Sequence, residues 1–248
     1  MKKNLLLCAV FTIAASLIAN SIYAQEQPVE YKQLIAKCGK ALKQAKSYCA
    51  KVEYKSSFTI SSQENKANSA ELNIAFMSPD RFKAAQIIDE GKGERLWDGW
   101  IIIGNNYYVF LPVIGWKKDN NDNRIKTCKA YSPEGIMEQL EGIEKAYKRD
   151  SIRIATKDGT EYFVIKYLFG NESVNMEYLP PELRYSKING TCEIWINENS
   201  YLPLQQSSEV SYYLNEQNGG ISSVSTKYFS YNDDKMKISE PVMGSKDF

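Results

Sequence analysis

Short segments in which apolar and polar residues alternate run along most of this chain, and they constrain its fold more than any other feature. The segment "CAKVEYKSSFTISS" (49–62) places apolar residues on one face of a strand and Lys and Glu on the other. Turn-forming segments such as "QENKANS" (63–69) and "EGKG" (90–93) separate it from the next alternating segments. The pattern continues for about ten or eleven strands, and a sheet of that size curls strongly or closes.

Two segments carry the helical period instead of the strand period. Residues 28–48, "PVEYKQLIAKCGKALKQAKSY", form one amphipathic helix with lysines on its polar side. Residues 132–149 form a second helix, in which Ser132 is the N-cap and Pro133 takes the first helical position. Between the strands and this helix, residues 115–131 are polar and predict a long loop.

The order of these elements predicts an α+β protein that is mainly antiparallel β. We expect a strongly curved half-barrel or incomplete β-barrel, with the N-terminal helix and the central helix as a lid. The sequence has no linker or repeat that would divide it, so residues 25–248 are predicted to form a single domain.

The first 24 residues have the pattern of a signal peptide. Lys2 and Lys3 precede the apolar run Leu5–Ile18, and the small residue Ala24 suits cleavage. This run is shorter than the roughly 20 residues that span a bilayer, so a retained anchor is the less favoured alternative. We therefore predict an exported protein without a transmembrane segment after signal cleavage, located in the periplasm, with the exterior or the cell surface as alternatives.

Composition argues against catalysis and against nucleic-acid binding. The chain has no histidine, which excludes Ser-His-Asp and Cys-His catalysis and His-ligated metal sites. Its 31 Lys and Arg balance 30 Asp and Glu, so no basic excess points to nucleic acid. Glu198 lies in "CEIWINENSYLPLQQ" (192–206), where the polar cluster is typical of a hairpin turn rather than a catalytic site. We predict a protein that is not an enzyme and holds no cofactor or metal.

Four cysteines follow the signal segment, and an even number in an exported chain indicates two disulfides. The helix separates Cys38 from its own end by roughly 12 Å, more than a bridge to Cys49 allows. Cys38 and Cys49 are therefore expected to reach Cys128 and Cys192, with the pairing open. Free buried thiols are the alternative.

The many aromatic and aliphatic side chains have two interpretations. They fill an ordinary core, or they line a cavity, because a large curved sheet is hard to fill from one small helix. Alternation assigns the following residues to the cavity wall: Val52, Tyr54, Phe58, Leu72, Ile74, Phe76, Phe82 and Trp97. Ile136 and Leu140 of the second helix are assigned to the lid.

Several motifs, taken in order, resemble the LolA/LolB-like family of exported lipoprotein carriers, whose relatives include LppX/LprG lipid-binding lipoproteins and RseB-type envelope sensors. They are "AELNIAFMSPDRFKA" (70–84), "LWDGWIIIGNNYYVFLP" (96–112), "CEIWINENSYLPLQQ" (192–206) and "KYFSYNDDKMKISEP" (227–241). The resemblance implies an incompletely closed barrel with a helical lid over an apolar cavity, and no covalent chemistry. It implies a lipid or an acylated lipoprotein as partner.

These observations lead to two functional hypotheses. The first is an exported carrier that holds an acyl chain or a lipidated protein in its cavity. The second is an envelope sensor or surface interaction module that has a filled core and binds an envelope protein.

Overall fold

The fold was obtained as a computed structural model that describes residues 30–60, 63–89, 94–119, 122–170, 187–215 and 218–248. The predicted signal peptide and the predicted turn at 90–93 lie outside these residues. In the described part of the chain, the helices are α1 (Tyr31–Gln44), α2 (Asp122–Lys129) and α3 (Pro133–Ala146). The strands are β1 (Ser47–Ile60), β2 (Gln63–Met77), β3 (Arg81–Asp89), β4 (Glu94–Ile103), β5 (Asn106–Leu111), β6 (Gly115–Lys118), β7 (Lys148–Lys157), β8 (Thr160–Gly170), β9 (Lys187–Asn197), β10 (Pro203–Asn215) and β11 (Asn218–Phe229).

All these strands belong to one antiparallel sheet. Its order is β6-β5-β4-β3-β2-β1-β11-β10-β9-β8-β7. Consecutive strands are therefore neighbours in the sheet except β6 and β7, and the first and last strands, β1 and β11, also pair. The strands β6 and β7 form the two edges and do not pair with each other, so the sheet stays open. The predicted fold class is confirmed: the molecule is a curved half-barrel of the α+β class.

The open edges explain where the helices lie. The chain that leaves β6 at one edge must reach β7 at the other, and α2 and α3 make this crossing. On the way, α3 places its apolar side in the same core as the strands, and α1 packs there as well. We call α1 and α3 together the helical lid.

Local sequence signals account for several element boundaries. The Ser132 side chain accepts a hydrogen bond from the Gly135 amide at 3.1 Å, so the predicted N-cap of α3 is confirmed. The turn between β7 and β8 has positive φ at Asp158 and Gly159, as a tight hairpin turn requires. The prediction of a loop over 115–131 was wrong: strand β6 and helix α2 lie there. Both are short, and neighbouring elements stabilise them more than their own sequence does.

No helix in the described residues combines the length and the apolar character that a membrane crossing needs.

The two glycines of α3 have different structural roles and provide a matched test. A Cβ at Gly135 would lie 2.1 Å from the carbonyl oxygen of Lys129, where α2 ends, whereas a Cβ at Gly142 would meet nothing within 4 Å. We expect Gly135→Ala to lower the free energy of unfolding by about 1–3 kcal/mol through this overlap. Gly142→Ala should raise it by roughly 0.5–1 kcal/mol, because alanine favours the helix. Urea unfolding measures both, and equal effects would contradict the close contact between α2 and α3.

Candidate binding interior under the helices

The strands present one continuous apolar surface to the helical lid. Five of the predicted wall residues are buried in this core: Val52, Leu72, Ile74, Phe76 and Phe82. They occupy alternate positions on β1, β2 and β3, and the strand register places Val52 opposite Leu72 and Phe76 opposite Phe82. The alternation of the sequence therefore identified a contiguous patch of the inner face.

The helical lid covers this surface with apolar side chains. Ile136 and Leu140, one turn apart on α3, are buried in the same core as the wall residues. Helix α1 contributes Leu34, Ile35 and Leu42 from its apolar face. The lid and the wall thus form a single buried cluster.

Two predicted wall residues, Trp97 and Tyr54, have other positions. Trp97 is 48% exposed and does not line the interior. It is the extra residue of a β-bulge, since Gln86 pairs with Asp98 and Ile87 with Leu96. Tyr54 is partly buried against the edge of the core, and the side chain of Phe58 lies outside the described part of the structure.

The strands of the second half of the sheet complete the interior, and the sequence analysis did not assign them to it. They contribute Phe163, Ile165 and Tyr167 from β8, Ile194 and Ile196 from β9, and Tyr228 from β11. The same alternation in "EYFVIKYLF" and "CEIWIN" was the signal that could have identified them.

The interior is closed by packing. A cleft of about 690 Å³ lies on the outside of the seam between α1 and α3, and one of about 210 Å³ lies on β1–β3 around Lys51 and Glu71. Neither is lined by the wall residues Val52, Leu72 or Phe76. In this conformation the lid packs directly against the apolar face of the sheet.

Charged residues line the rim of the seam between the lid helices, and the two helices approach each other closely at its centre. Lys40 and Lys43 line it from α1, and Glu134, Glu138 and Glu141 line it from α3. Gly39 allows the close approach, because a Cβ there would lie 3.1 Å from the Met137 Cε. The two helices therefore meet through one small residue and one flexible side chain.

Few side-chain hydrogen bonds connect the lid with the sheet in the described residues. The Tyr167 hydroxyl of β8 donates to Glu144 Oε2 of α3 at 3.0 Å. Lys37 of α1 donates to the Tyr201 hydroxyl at 3.1 Å and lies 4.7 Å from the centre of its ring. The Tyr48 hydroxyl donates at 2.6 Å to the carbonyl of Tyr131, which lies between α2 and α3. Burial raises the pKa of Tyr48. Apolar contacts, which have no directional requirement, supply most of the remaining attachment.

A buried ion pair holds α2 on β4. The Asp98 carboxylate is 1% exposed and forms an ion pair with Arg124 of α2. Burial raises the pKa of Asp98, and the Arg124 guanidinium opposes this increase. Beside it, Trp100 Nε1 donates to Cys128 Sγ at 2.6 Å. This set of contacts is structural and fixes the first half of the crossing between β6 and β7.

The structure does not bear out the predicted disulfides. Cys38, Cys49, Cys128 and Cys192 are all free thiols. Cys49 lies between Tyr48 and Ala50, which face the core, so its own side chain lies on the opposite face of the sheet. The other three are buried, and burial raises the pKa of each to about 12. The count of cysteines does not reveal that Cys49 lies on the face of β1 opposite the core.

The polar cluster at 197–200 is a turn, as the sequence indicated. The Asn197 side chain accepts hydrogen bonds from the amides of Asn199 and Ser200, at 3.0 and 2.8 Å. Glu198 is on the surface beside Glu161, and a hydrogen bond with that residue raises its pKa. Among the described residues, no group of three or more Cys, Asp or Glu is arranged to hold a metal ion.

The fold and its covered interior together define an open antiparallel half-barrel with a helical lid. No protein-family model matches the sequence, and no curated protein matches it either.

Solved structures with a similar arrangement include LprF from Mycobacterium bovis, at 11% identity and a TM-score of 0.44 over 85% of this chain and 96% of that one. The lipoprotein LppX from Mycobacterium tuberculosis has 13% identity and a TM-score of 0.42 over 85% and 100%. A LolA superfamily protein from Nitrosomonas europaea has 12% identity and a TM-score of 0.33 over 84% and 96%. The likeness concerns the fold alone.

Proposed function

We propose that this protein is an exported, non-enzymatic carrier that holds a lipid acyl chain or a lipidated protein between its sheet and its helical lid. The observation that carries the proposal is the continuous apolar inner face, which spans both halves of the sheet and is covered by two helices instead of a second sheet. Moving the lid away would expose this face as one surface.

The energies of the open and closed states are comparable. Burial of these five apolar lid side chains, at roughly 1.5–3 kcal/mol each, contributes about 8–15 kcal/mol to closure. An acyl chain with about 14 buried methylenes contributes roughly 11 kcal/mol at 0.8 kcal/mol per CH₂. Binding of an acyl chain therefore offsets much of the burial free energy that is lost when the lid opens. Without a ligand, the closed state is favoured.

The position of the lid seam supports a route of entry. The cleft between α1 and α3 lies directly outside the covered face, and the Gly39–Met137 contact at its centre involves a flexible side chain. Methionine adapts its shape at low cost, so this contact separates more easily than one between branched residues.

The rival function is an envelope sensor or surface module that binds a protein and keeps its core filled. The packed interior is what this second hypothesis expects. The carrier and the sensor hypotheses predict different effects of a bulky substitution in the core. A carrier tolerates it by opening slightly and loses its ligand, whereas a permanently filled core loses its fold.

Native mass spectrometry of the exported protein, combined with uptake of a fluorescent fatty acid, tests the carrier function. We expect co-purified lipid and saturable uptake by the wild-type protein. Ile74→Trp should abolish uptake and keep the folded circular dichroism spectrum, because the lid of a carrier moves away from the sheet to make room for the larger side chain. Lys145→Trp, on the exposed side of α3, is the matched control and should take up the probe normally. Absence of both lipid and uptake in the wild-type protein would exclude the carrier function.

A further inference from the structure

The cleft on the outside of the lid seam has one cationic wall and one anionic wall. It has a volume of about 690 Å³, and we call it the seam cleft. Lys40 and Lys43 line it from α1, whereas Glu134, Glu138 and Glu141 line it from α3. All five side chains are exposed, so a polar ligand can reach both walls from the solvent.

The opposite charges of the two walls face each other without pairing. Among the ion pairs of the described residues, none joins α1 to α3. Glu141 instead pairs with Lys145 of its own helix at 3.6 Å, so its charge already has a partner. Two lysines on one wall and two glutamates on the other remain. The seam cleft is therefore complementary to a ligand that has no net charge but carries two separated charges.

The floor of the seam cleft borders the apolar interior. Of the residues that line the cleft, Gly39 is buried and Met137 packs against the core, so these two form its floor. A Cβ at Gly39 would lie 3.1 Å from Met137 Cε. Ile136 and Leu140, on the buried side of α3, belong to the core directly beneath. A chain that passes between Gly39 and Met137 therefore runs from the charged cleft into the apolar interior.

A zwitterionic phospholipid combines the three chemical features that this arrangement requires. Its acyl chain is apolar, its phosphate is negative, and the ammonium group at the end of its headgroup is positive. A primary ammonium donates up to three hydrogen bonds, which suits carboxylate acceptors, whereas lysine is a common ligand of phosphate. An anionic phospholipid offers a phosphate to the lysines but no cation to the glutamates. The anionic wall thus favours the zwitterionic lipid over the anionic one.

We propose that the seam cleft binds the headgroup of a zwitterionic phospholipid with a primary ammonium group, of the ethanolamine type. Lys40 and Lys43 bind the phosphate, Glu134 and Glu138 accept hydrogen bonds from the ammonium, and the acyl chain passes through the floor of the cleft. This inference rests on the proposed carrier function and specifies its substrate class. Because the charged contacts lie at the surface, they set the preference among lipids, and apolar burial supplies most of the affinity.

Competition binding to the exported protein tests the proposal. The probe is the methyl ester of a fluorescent fatty acid, which has an acyl chain and no charge. Lysophospholipids with one common acyl chain and an ethanolamine, choline or glycerol headgroup displace it, each below its micelle concentration. We expect the ethanolamine lipid to bind about three- to tenfold more tightly than the glycerol lipid, as two contacts between exposed charges allow. The choline lipid should lie between them, and high salt should reduce the differences.

Substitutions on the two walls have different expected effects, and each variant is judged by the ratio of its own affinities. Glu134→Gln with Glu138→Gln should abolish the preference for the ethanolamine over the glycerol lipid, because the ammonium loses its anionic partners. Lys40→Gln with Lys43→Gln should weaken both lipids by about three- to tenfold relative to the methyl ester, because both carry the phosphate.

A matched control changes exposed charges outside the seam cleft. Lys32→Gln on α1 combined with Glu209→Gln on β10 removes one charge of each sign, and neither residue lines the cleft. This variant should keep the wild-type ratios among the three lipids. Circular dichroism confirms that every variant is folded.

The outcomes separate the headgroup site from the carrier function. If the wild-type protein binds the methyl ester but binds the ethanolamine and glycerol lipids equally, the headgroup site is wrong and the carrier function is retained. The same conclusion follows if the variant with Glu134→Gln and Glu138→Gln keeps the wild-type preference. If the wild-type protein does not bind the methyl ester, the carrier function fails and the headgroup site fails with it.

Discussion

Replacing Arg124 with methionine is expected to lower the free energy of unfolding by about 3–5 kcal/mol, the largest effect of any single substitution that we propose. The reason is that Asp98, only 1% exposed, would keep a buried carboxylate without its cationic partner. Chemical denaturation at neutral pH measures the loss. The substitution is also expected to weaken the attachment of α2 to β4, since this ion pair joins the two elements.

The pH dependence gives the same prediction a second readout. Burial already raises the pKa of Asp98, and removal of Arg124 would raise it further. The folded state then binds a proton that the unfolded state releases above about pH 4, so stability falls as pH rises from there. The Arg124→Met variant should accordingly recover stability as the pH is lowered from 7 towards 4, more steeply than the wild type.

Two further variants control for this interpretation. Lys126→Met replaces an exposed cation on the same helix and should change stability by less than about 0.5 kcal/mol. Adding Asp98→Asn to Arg124→Met should restore much of the lost stability, because no charge remains buried. The ion-pair account would fail if Arg124→Met behaved like Lys126→Met.

Steep alkaline unfolding is the second large effect that we expect. Burial raises the pKa of Cys38, Cys128 and Cys192 from 9.0 to about 12. Between these values the unfolded chain has lost the thiol protons and the folded chain has kept them, so stability falls as pH rises. Three thiols together cost about 4 kcal/mol per pH unit in this window. Buried tyrosines such as Tyr107 and Tyr212, whose pKa burial raises to about 12, add to the slope above pH 10.

Since small domains are stable by about 5–15 kcal/mol, unfolding is expected between about pH 10 and 12. Near-ultraviolet circular dichroism records the loss of packing, and absorbance at the tyrosinate band records the ionisation that accompanies it. Cys38→Ala should reduce the slope of stability against pH, whereas Cys49→Ala, at a half-exposed position, should change it less. A packed spectrum that persists beyond pH 12 would contradict the buried thiols.

Part of the candidate site was accessible from the sequence because strand alternation is a local property. Val52, Leu72, Ile74, Phe76 and Phe82 were assigned to a cavity wall from their spacing alone, and the structure buries all five in the core. Trp97 lies three residues before Trp100, which is buried in the core, so regular alternation already places these two side chains on opposite faces of β4. The bulge at Trp97 in addition interrupts the pairing of β4 with β3.

Other features depend on contacts between residues distant in the chain. Helix α2 has a weak pattern of its own, and its place is fixed by Arg124 on Asp98 and by Cys128 under Trp100. The C-terminal segment (residues 230–248) has no periodicity, yet it packs Phe248 on Trp116 across more than a hundred residues of chain. Such pairings are decided by the folded surface and not by local preference.

The sequence by itself determined the order of the strands and helices outside residues 115–131, the Ser132 cap and the mainly antiparallel class, because each rests on side-chain period and cap chemistry. Only the tertiary structure decided that the helices close over the inner face, that the four thiols are free and that Gly244 and Ser245 pair with Trp116 at the β6 edge. The physical reason is that these last three depend on which distant surfaces come together, and that is fixed by packing of the whole chain rather than by any one segment.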